Sequence, residues 1–562
     1  MMPAVRTGKR HWGAFLALGI AAFGLAACAA KLNGTPANSS STSAKIAAAA
    51  APHGLPVPGI PQSLGVHVHF ATTSAQELQL LDHSGFALVR KNLTWTAVQP
   101  TTAPPNFKTS GYDSLVQNLK AAHIRPVLIL SYCNPAFPSP ATAAGRAAFA
   151  AYAADAAMNF RNDGVIWEIW NEPDGGFWNC TGEKGGAAAN PESYVKLALA
   201  TSAAIWKVDP SATIIGPASS TFNWAWFHQL ATEGLLGALS GFSVHGYGAN
   251  TPEEQAPNYA QLEAFLARHP VNGHPLPVVM SEWGWQTYTS LPKGWCCNFA
   301  VQADYVVRMM LDDLQSGVDF SVWYDLRDSV EGQGNWGVLS QNLATKPSYT
   351  AVQVLSSTLA GQDYVAADDV AACTPTEHAI RLSKGGEAFW AVSTAVIPTA
   401  DVAGHFYVGS SQVTLVSQGG TRTQATATNG VLSASFQPSV TYVLGATGQL
   451  PPPAPAHVRF PSSLGTFMED FYAREPAGTP ASLMGSPPGT GTVALVWHPL
   501  CGVSAYRVLS GASANGPWHV QATTRKSIWI GAAPTSATWY TVESVSPAGV
   551  VGPFAPPLQS QG

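Results

Sequence analysis

From about residue 62 to residue 357, short apolar runs alternate with longer segments of helical periodicity. Strands are predicted at 64–70, 86–92, 125–132, 164–171, 212–218, 241–248, 277–284 and 319–326, and helices at 74–85, 113–123, 143–161 and 191–207, among others. Strands that alternate with helices pair in parallel, and eight such units predict an α/β fold, a (β/α)8 TIM barrel over residues 61–357. An open doubly wound sheet is the alternative, but no Gly-rich phosphate turn follows the first strand.

Beyond residue 357 the pattern changes from helical spacing to alternation with Gly and Ser turns. Residues 358–449 are predicted to form a β-sandwich, and residues 450–485, which begin LPPPAPAHVRFP, a Pro-rich linker. In residues 486–562, Trp497 lies on an early strand, Tyr506 on the next and Tyr540 on a late one. This last pattern resembles a fibronectin type III domain, which implies a second β-sandwich at the C-terminal end.

The first 28 residues have the features of an export signal. Three basic residues precede an apolar stretch, 13–25, that is too short for a comfortable membrane span. The stretch ends in LAAC, which resembles the lipobox of bacterial lipoproteins and implies a lipid on Cys28. An ordinary signal peptide with a chance cysteine and a retained helix are the alternatives. Residues 29–60 are small and polar, and they predict a flexible linker.

Composition limits the possible partners. The chain of 562 residues is 46% hydrophobic, but charged residues make up only 11%, against roughly 25% in an average globular protein. The net charge of -5 provides neither a basic surface for nucleic acid nor a polybasic patch for anionic lipid. Together with this charge, the lipobox-like LAAC implies a protein of the cell envelope (outer membrane, periplasm or cell surface) that contacts membrane only through its lipid anchor. We expect it to be a monomer.

Six cysteines remain besides Cys28. They are Cys133, Cys180, Cys296, Cys297, Cys373 and Cys501. An even number in an exported chain permits disulfides without revealing their pairing, and the spacing lacks the clustering of a zinc site. Because Cys133 and Cys180 follow neighbouring predicted strands, a disulfide between them is predicted to brace that rim of the barrel.

Polar and aromatic side chains are concentrated at the predicted strand ends, which meet at one mouth of a TIM barrel. The ends carry His67, His69, Arg90, Asn92, Trp95, Tyr132, Asn134, Asn171, Glu172, His245, Tyr247, Glu282, Trp283, Trp323, Tyr324 and Asp325. Two carboxylates among aromatics, amides and imidazoles are typical of a sugar-processing site. The spacing indicates no metal site, no cofactor and no serine in a nucleophile elbow.

Two short motifs carry a family resemblance. WNEP at 170–173 and SEWG at 281–284 resemble clan A of the retaining glycoside hydrolases, whose acid/base lies on strand four and whose nucleophile lies on strand seven. The resemblance implies that Glu172 is the acid/base and Glu282 the nucleophile, about 5–5.5 Å apart. The substrate-binding residues that it implies are Asn171 for the sugar 2-hydroxyl, His245 and Tyr247 on strand six, Arg90 on strand two and Trp323 as an aromatic floor.

A longer ordered series resembles the family 39-like enzymes, in particular endoglycosidases encoded beside exopolysaccharide (biofilm) genes. The series includes GVHVHF, LVRKNLTW, IWEIWNEP, SEWGW and VWYDLRD, in order from residue 64 to about 330. The resemblance implies a retaining endo-β-glycosidase. An exo-acting β-xylosidase-like enzyme is the alternative within enzymes, and a non-catalytic glycan-binding lipoprotein is the alternative from another class.

For other residues of the barrel, a structural role and contact with a sugar are both considered. We interpret Glu168 as a buried partner of Arg90, because a charge inside a strand must be paired. His67 and His69 are barrel-interior residues, and His69, nearer the mouth, is a candidate for sugar contact. Asn134 is a further candidate for sugar contact. Trp95, Trp178, Trp285 and Trp295 are candidate stacking platforms, and for each of these tryptophans core packing is the alternative.

Overall fold

The computed structural model describes most of the chain beyond residue 53. The described residues are 54–70, 74–178, 190–288, 297–329, 334–364, 377–391, 402–447, 458–459, 492–497, 505–524, 528–532, 534–545 and 549–560. All of them lie in one unit, residues 45–562. The predicted signal, with Cys28, lies outside the described residues.

Eight parallel strands close into a barrel. They are β1 Leu64–His67, β2 Leu88–Thr94, β3 Arg125–Ser131, β4 Ile166–Ile169, β5 Thr213–Ser219, β6 Gly241–His245, β7 Val278–Trp283 and β8 Val318–Trp323. Each strand pairs with the next in sequence, and β8 pairs with β1. The predicted TIM barrel is therefore confirmed, and the open sheet is excluded.

Helices surround the barrel. They are α1 Ala75–His83, α2 Trp95–Val98, α3 Tyr112–Ala121, α4 Ala143–Asn159, α5 Pro191–Val208, α6 Trp224–Thr232, α7 Ala256–Arg268, α8 Phe299–Gln315 and α9 Pro347–Thr358. Several begin at side-chain caps that satisfy a free backbone N–H: Ser74 accepts from the third helical residue of α1, and Asn298 caps α8 in the same way. Pro191 at the start of α5 adds a fixed φ where no backbone donor is needed.

The barrel interior changes character along the strands. At one end an apolar cluster contains Leu88, Val127, Ile166, Ile215, Val279, Phe320 and Val322. Because side chains of a strand point to the same face every second residue, Arg90 follows Leu88 into the interior and Glu168 follows Ile166. The interior thus passes from apolar to charged toward the carboxyl ends of the strands, where the candidate site lies.

Sheets follow the barrel, as predicted. A five-stranded sheet has the order β9 Glu377–Arg381, β10 Gly386–Ala391, β15 Thr441–Leu444, β12 Gln412–Ser417 and β13 Arg422–Thr426, and β11 Val402–Tyr407 pairs with β14 Val431–Phe436. Phe389, Val413 and Leu432 share a small core. The sheet contacts the barrel directly, since Gln315 of α8 donates to the carbonyl of Ala379 over 2.7 Å.

The C-terminal part contains two more sheets. One consists of Val458–Arg459, Thr492–Trp497 and Ile528–Ala532, and the other of His519–Thr524, Ala505–Gly511, Thr538–Val545, Val551–Phe554 and Leu558–Ser560. Trp497, Tyr506 and Tyr540 belong to one core, as the sequence pattern suggested, and the first two rings lie 5.2 Å apart. The fibronectin assignment and the domain limits stay predictions. None of the described helices is long and apolar enough to cross a membrane.

Candidate active site

Arg90 is the centre of the site. It has no exposed surface, and it donates from Nε to Glu168 over 2.6 Å, from Nη1 to Glu282 over 2.5 Å and from Nη2 to the amide oxygen of Asn171 over 2.6 Å. One guanidinium thus joins strands β2, β4 and β7. The predicted pairing of Glu168 with Arg90 is confirmed: both side chains are fully buried, so neither charge can be left alone without a large desolvation cost.

Glu172 is held beyond the end of β4 by a turn in the backbone. Trp170 has φ 69° and Glu172 has φ 46°, both in the left-handed region that non-glycine residues rarely adopt. The amide of Glu172 donates to the carbonyl of Ala218 over 2.9 Å, which fixes the turn. The carboxylate lies 2.8 Å from Nδ1 of His245 on β6 and keeps 15% of its side-chain surface exposed.

Glu172 and His245 shift each other's pKa in opposite directions. Burial raises the pKa of the Glu172 carboxyl, but the hydrogen bond and charge of His245 and the charge of Arg90 outweigh it, so this pKa lies below the ordinary glutamate value. Burial lowers the pKa of His245, yet the charge of Glu282 and the hydrogen bond to Glu172 prevail and leave it above the ordinary histidine value. The pair therefore retains a proton on the imidazole where an isolated histidine would lose it.

Glu282, at the end of β7, faces Glu172 across the mouth. The hydroxyl of Tyr247 donates to Oε1 over 2.9 Å, Arg90 binds Oε2, and 12% of the side chain is exposed. One oxygen of each glutamate and one ring nitrogen of His245 all lie within 4.8 Å of one another. Two carboxylates, each oriented by other side chains and each partly open to the mouth, can act together on one bond.

The same three side chains are the group of described residues whose donor atoms could hold a metal ion. Carboxylate and imidazole are ordinary ligands for a divalent cation. However, the guanidinium of Arg90, in direct contact with Glu282, places a fixed positive charge where a second cation would have to bind. The donor set suits proton transfer and nucleophilic attack better than metal binding.

A second group of rings lies on the side of β1 and β8. His69 is half-exposed, and its Nε2 lies 3.0 Å from a carboxylate oxygen of Asp325. The ring of Tyr324 lies 5.2 Å from that of His67 and 5.4 Å from that of His69. Burial raises the pKa of Asp325 to about 6, although the hydrogen bond from His69 opposes it. His69 is thus in the mouth, as predicted, whereas His67 is buried beside Arg90, to which it is 3.3 Å distant.

The predicted aromatic floor is displaced by one residue. Trp323 has no exposed surface, and its indole N–H donates to the carbonyl of Trp336 over 3.2 Å, so it belongs to the core rather than to the mouth. Tyr324, the residue directly after β8, occupies the mouth instead, where it approaches His67 and His69. The motif resemblance identified the strand end correctly and the residue wrongly.

Two further predicted sugar contacts are corrected on the same ground. Trp95 is fully buried, stacks on Phe137 and Tyr152, and donates its indole N–H to Gln99. Asn134 is also buried, and its amide donates to the carbonyl of Gln99 over 2.6 Å. Both residues join the connections after β2 and β3 through Gln99, and neither side chain is exposed to a substrate.

The remaining tryptophans that were predicted to contact sugar have different surroundings. Trp285 is buried, Trp178 is partly buried against Trp170, and Trp295 lies outside the described residues. The structure adds Trp336, whose ring lies 6.0 Å from both Tyr247 and Tyr324. No sequence motif singled it out, because it lies in a long connection after β8 rather than at a strand end.

The cysteines are in part accounted for. Cys133 and Cys297 are each disulfide-bonded. Cys180, Cys296, Cys373 and Cys501 lie outside the described residues, so the pairing of Cys133 with Cys180 stays a prediction.

The known proteins that this chain resembles are glycoside hydrolases. Residues 50–324 match the family model of the cellulases of glycosyl hydrolase family 5. A β-xylosidase from Caldicellulosiruptor saccharolyticus is 25% identical over 260 residues, which cover 42% of this chain and 49% of that protein. The chain thus spans about half the length of this curated relative.

Among solved structures, a family 39 glycoside hydrolase from the gut symbiont Bacteroides cellulosilyticus WH2 is similar in fold. The TM-score is 0.56 at 21% identity, over 68% of this chain and 81% of that one. This likeness supports the barrel with its additional sheets.

Proposed function

We propose that this protein, whose barrel is that of a clan A glycoside hydrolase, cleaves a β-linked glycan with retention of anomeric configuration. The observation that carries the proposal is the pair Glu172 and Glu282, with one oxygen of each within 4.8 Å of the other. Retaining enzymes have their two carboxyl groups about 5–5.5 Å apart, whereas inverting enzymes need about 6.5–9.5 Å to admit a water molecule between them.

Glu282 is the proposed nucleophile. Its oxygens accept hydrogen bonds from Arg90 and Tyr247, two donors that fix the direction of its attack. Attack of Glu282 on the anomeric carbon forms a glycosyl ester and breaks the bond to the leaving oxygen. The electron pair of the broken bond goes to that oxygen, which must receive a proton.

Glu172 supplies that proton in the proposed mechanism. The proton resides in the pair of Glu172 and His245, and it can move across the 2.8 Å contact from the imidazole to the carboxylate. Glu172 then protonates the leaving oxygen. In the second half of the reaction Glu172 removes a proton from water, the water oxygen attacks the anomeric carbon, and Glu282 is released as a carboxylate.

The substrate class within this proposal comes from the sequence. The ordered motif series resembles family 39-like endoglycosidases of exopolysaccharide gene clusters, which supports endo-action on an exopolysaccharide. The similarity to a β-xylosidase favours a second candidate, an exo-acting enzyme that removes single sugars. The two candidates share the carboxylate pair and differ in whether the glycan extends beyond the mouth on both sides.

The experiment compares the purified protein with Glu282→Gln on a panel of bacterial exopolysaccharides, xylan and β-glycosyl fluorides. Exposed Glu233 of the barrel provides the matched control, Glu233→Gln. Hydrolysis by the wild type and the control, but not by Glu282→Gln, is the expected result. Binding without cleavage would favour a non-catalytic glycan-binding protein, and unchanged cleavage by Glu282→Gln would refute the nucleophile. Oligosaccharide products indicate endo-action, and monosaccharide alone indicates exo-action.

The cellular location belongs to the proposal as well. The export signal and the LAAC sequence support a lipid on Cys28 that anchors the enzyme in the cell envelope. Cys28→Ser should release the protein from the membrane fraction and leave its hydrolytic activity unchanged. Retention of this variant in the membrane fraction would contradict the anchor.

A further inference from the structure

Two aromatic rings form a small platform on the Glu172 side of the mouth. Tyr132 follows β3 and is partly buried, whereas Phe177, in the short turn Gly176–Trp178, is 49% exposed. Their ring centroids lie 6.0 Å apart with planes inclined by only 17°. An exposed aromatic ring that lies beside a second, nearly parallel ring presents a flat apolar surface to solvent. Exposed apolar surface beside a reactive site often marks a ligand-binding surface.

Tyr132 is close enough to sense the charges of the active site. Burial raises the pKa of its phenol to about 12, with Asn92 and Arg90 acting to lower it and Glu282 and Glu172 acting to raise it. The phenol therefore lies within electrostatic reach of both proposed catalytic carboxylates. Because Tyr132 directly follows β3, the platform lies at the same end of the barrel as the two carboxylates.

Phe177 is attached rigidly to the same connection as Glu172. The carbonyl of Phe177 accepts from the indole N–H of Trp170 over 3.2 Å, and the amide of Gly175 donates to the carbonyl of Glu172 over 3.0 Å. The ring of Trp170 also meets that of Tyr132 edge-on, at 5.7 Å and 80°. These contacts fix Phe177 on the acid's side of the site.

We propose that Phe177 and Tyr132 form the acceptor subsite, which binds the sugar ring attached to the leaving oxygen. This inference rests on the proposed function, because the acid protonates the leaving oxygen and the leaving group must therefore lie on the side of Glu172. A pyranose ring has faces of C–H groups that stack on an aromatic face as other flat apolar groups do. The substrate class is thus one in which the leaving group is itself a sugar, an oligosaccharide or polysaccharide.

The test uses two substrates that share a donor sugar and differ in leaving group. Phe177→Ala is assayed on xylobiose and on β-xylosyl fluoride, or on cellobiose and β-glucosyl fluoride if glucose is the sugar that the enzyme accepts. Fluoride has no ring to stack, whereas an aryl leaving group would itself stack on the platform. We expect kcat/KM to fall roughly tenfold on the disaccharide and to stay within about twofold on the fluoride.

Two variants serve as controls. Phe177→Tyr keeps the flat face and should retain the disaccharide activity. Phe554→Ala removes a ring of the same type and of similar exposure, 48%, from the C-terminal sheet, and it should change neither activity. A uniform structural disturbance would lower both activities of Phe177→Ala together.

The outcomes separate this inference from the proposed function. Equal losses on both substrates, or no loss on either, overturn the acceptor subsite while leaving the glycosidase intact. If the wild type cleaves neither fluorides nor glycans, the proposed function itself fails, and the subsite fails with it.

Discussion

Two buried arginines each bind carboxylate, one in the candidate active site and one at the junction between the barrel and the following sheet. Arg90 inside the barrel and Arg308 on α8 are both fully buried, and each binds carboxylate. Arg308 binds both oxygens of Glu253 at 2.7 Å, and Trp390 of the following sheet donates to the same carboxylate. That pair closes the junction between the barrel and the sheet. Arg90 instead bonds one fully buried glutamate and one that remains partly open to the mouth.

The two ion pairs differ in whether the carboxylate is exposed, and this difference decides whether the carboxylate can react with a substrate. Burial raises the pKa of Glu253, but the adjacent Arg308 outweighs it and holds the carboxylate ionised, without an exposed atom. Arg90 also binds Glu282, whose side chain keeps 12% of its surface exposed. An ion pair that is closed on all sides stabilises a junction, whereas one with an open oxygen can also orient a nucleophile.

The largest expected effect is a loss of activity on substitution in the active site that substitution at the junction does not cause. Glu172→Gln should lower kcat by roughly 10²- to 10⁴-fold, because the leaving oxygen loses its general acid. Glu253→Gln should leave kcat within a few-fold and lower the melting temperature instead, because it leaves Arg308 buried without its counter-charge. Steady-state kinetics and thermal unfolding on both variants measure this. A loss of activity in Glu253→Gln at a temperature where it stays folded would break the comparison.

The second prediction replaces each of the two buried arginines with methionine. Arg90→Met and Arg308→Met should each lower the free energy of unfolding by about 3–5 kcal/mol, because each leaves a buried carboxylate unpaired. Only Arg90→Met should also abolish hydrolysis at temperatures where both variants are folded. Denaturant unfolding with activity assays checks this, and equal residual activity in the two variants would show that Arg90 is merely structural.

The third prediction concerns pH. The pKa of His245 is raised. The pair of Glu172 and His245 therefore keeps its proton at a pH above the ordinary histidine pKa, and it loses the proton as the pH rises through the raised pKa of His245. In His245→Gln the carboxyl alone must hold the proton, so the alkaline limb of kcat/KM should move to lower pH. His378→Gln, at the junction beside Asp312, is the matched control and should keep the wild-type profile. An unmoved limb in His245→Gln would place the proton elsewhere.

The smallest effect distinguishes neighbouring aromatic residues. Tyr324→Ala should reduce kcat/KM roughly tenfold through lost substrate contact. Trp323→Phe should leave kcat/KM unchanged and lower the free energy of unfolding by about 1–3 kcal/mol, because it empties part of the core. Kinetics and unfolding on the two variants decide between them. The reverse assignment of effects would restore Trp323 as the floor.

The barrel was predictable because its signals are local and repeated. Each apolar run marked a strand, and the ends of those runs delivered Glu172, Glu282, Arg90 and Tyr247 to one mouth without any knowledge of loops. The pairing of Glu168 with Arg90 followed from the cost of burying a lone charge. These inferences depend on strand periodicity, which tertiary contacts did not override.

The predictions of sugar contact failed where a shift of one residue, or the path of one loop, decides whether a side chain faces the mouth. Trp323 and Tyr324 are both aromatic, so residue type alone could not tell which of them faced the mouth and which was buried in the core. Trp95 looked like a strand-end aromatic, but the chain turns into α2 at that residue and carries its ring into the core. The junction pair Glu253 and Arg308 escaped notice because its members are distant in sequence and share no motif.

The stereochemistry of the first product tests the central claim most directly. Hydrolysis of a β-linked substrate is followed by proton NMR from the first seconds, before the released sugar equilibrates between anomers. Because one oxygen of each carboxylate lies within 4.8 Å of the other, the account predicts that the β-anomer appears first. Initial release of the α-anomer would mean inversion, and it would contradict the assignment of Glu282 as the nucleophile.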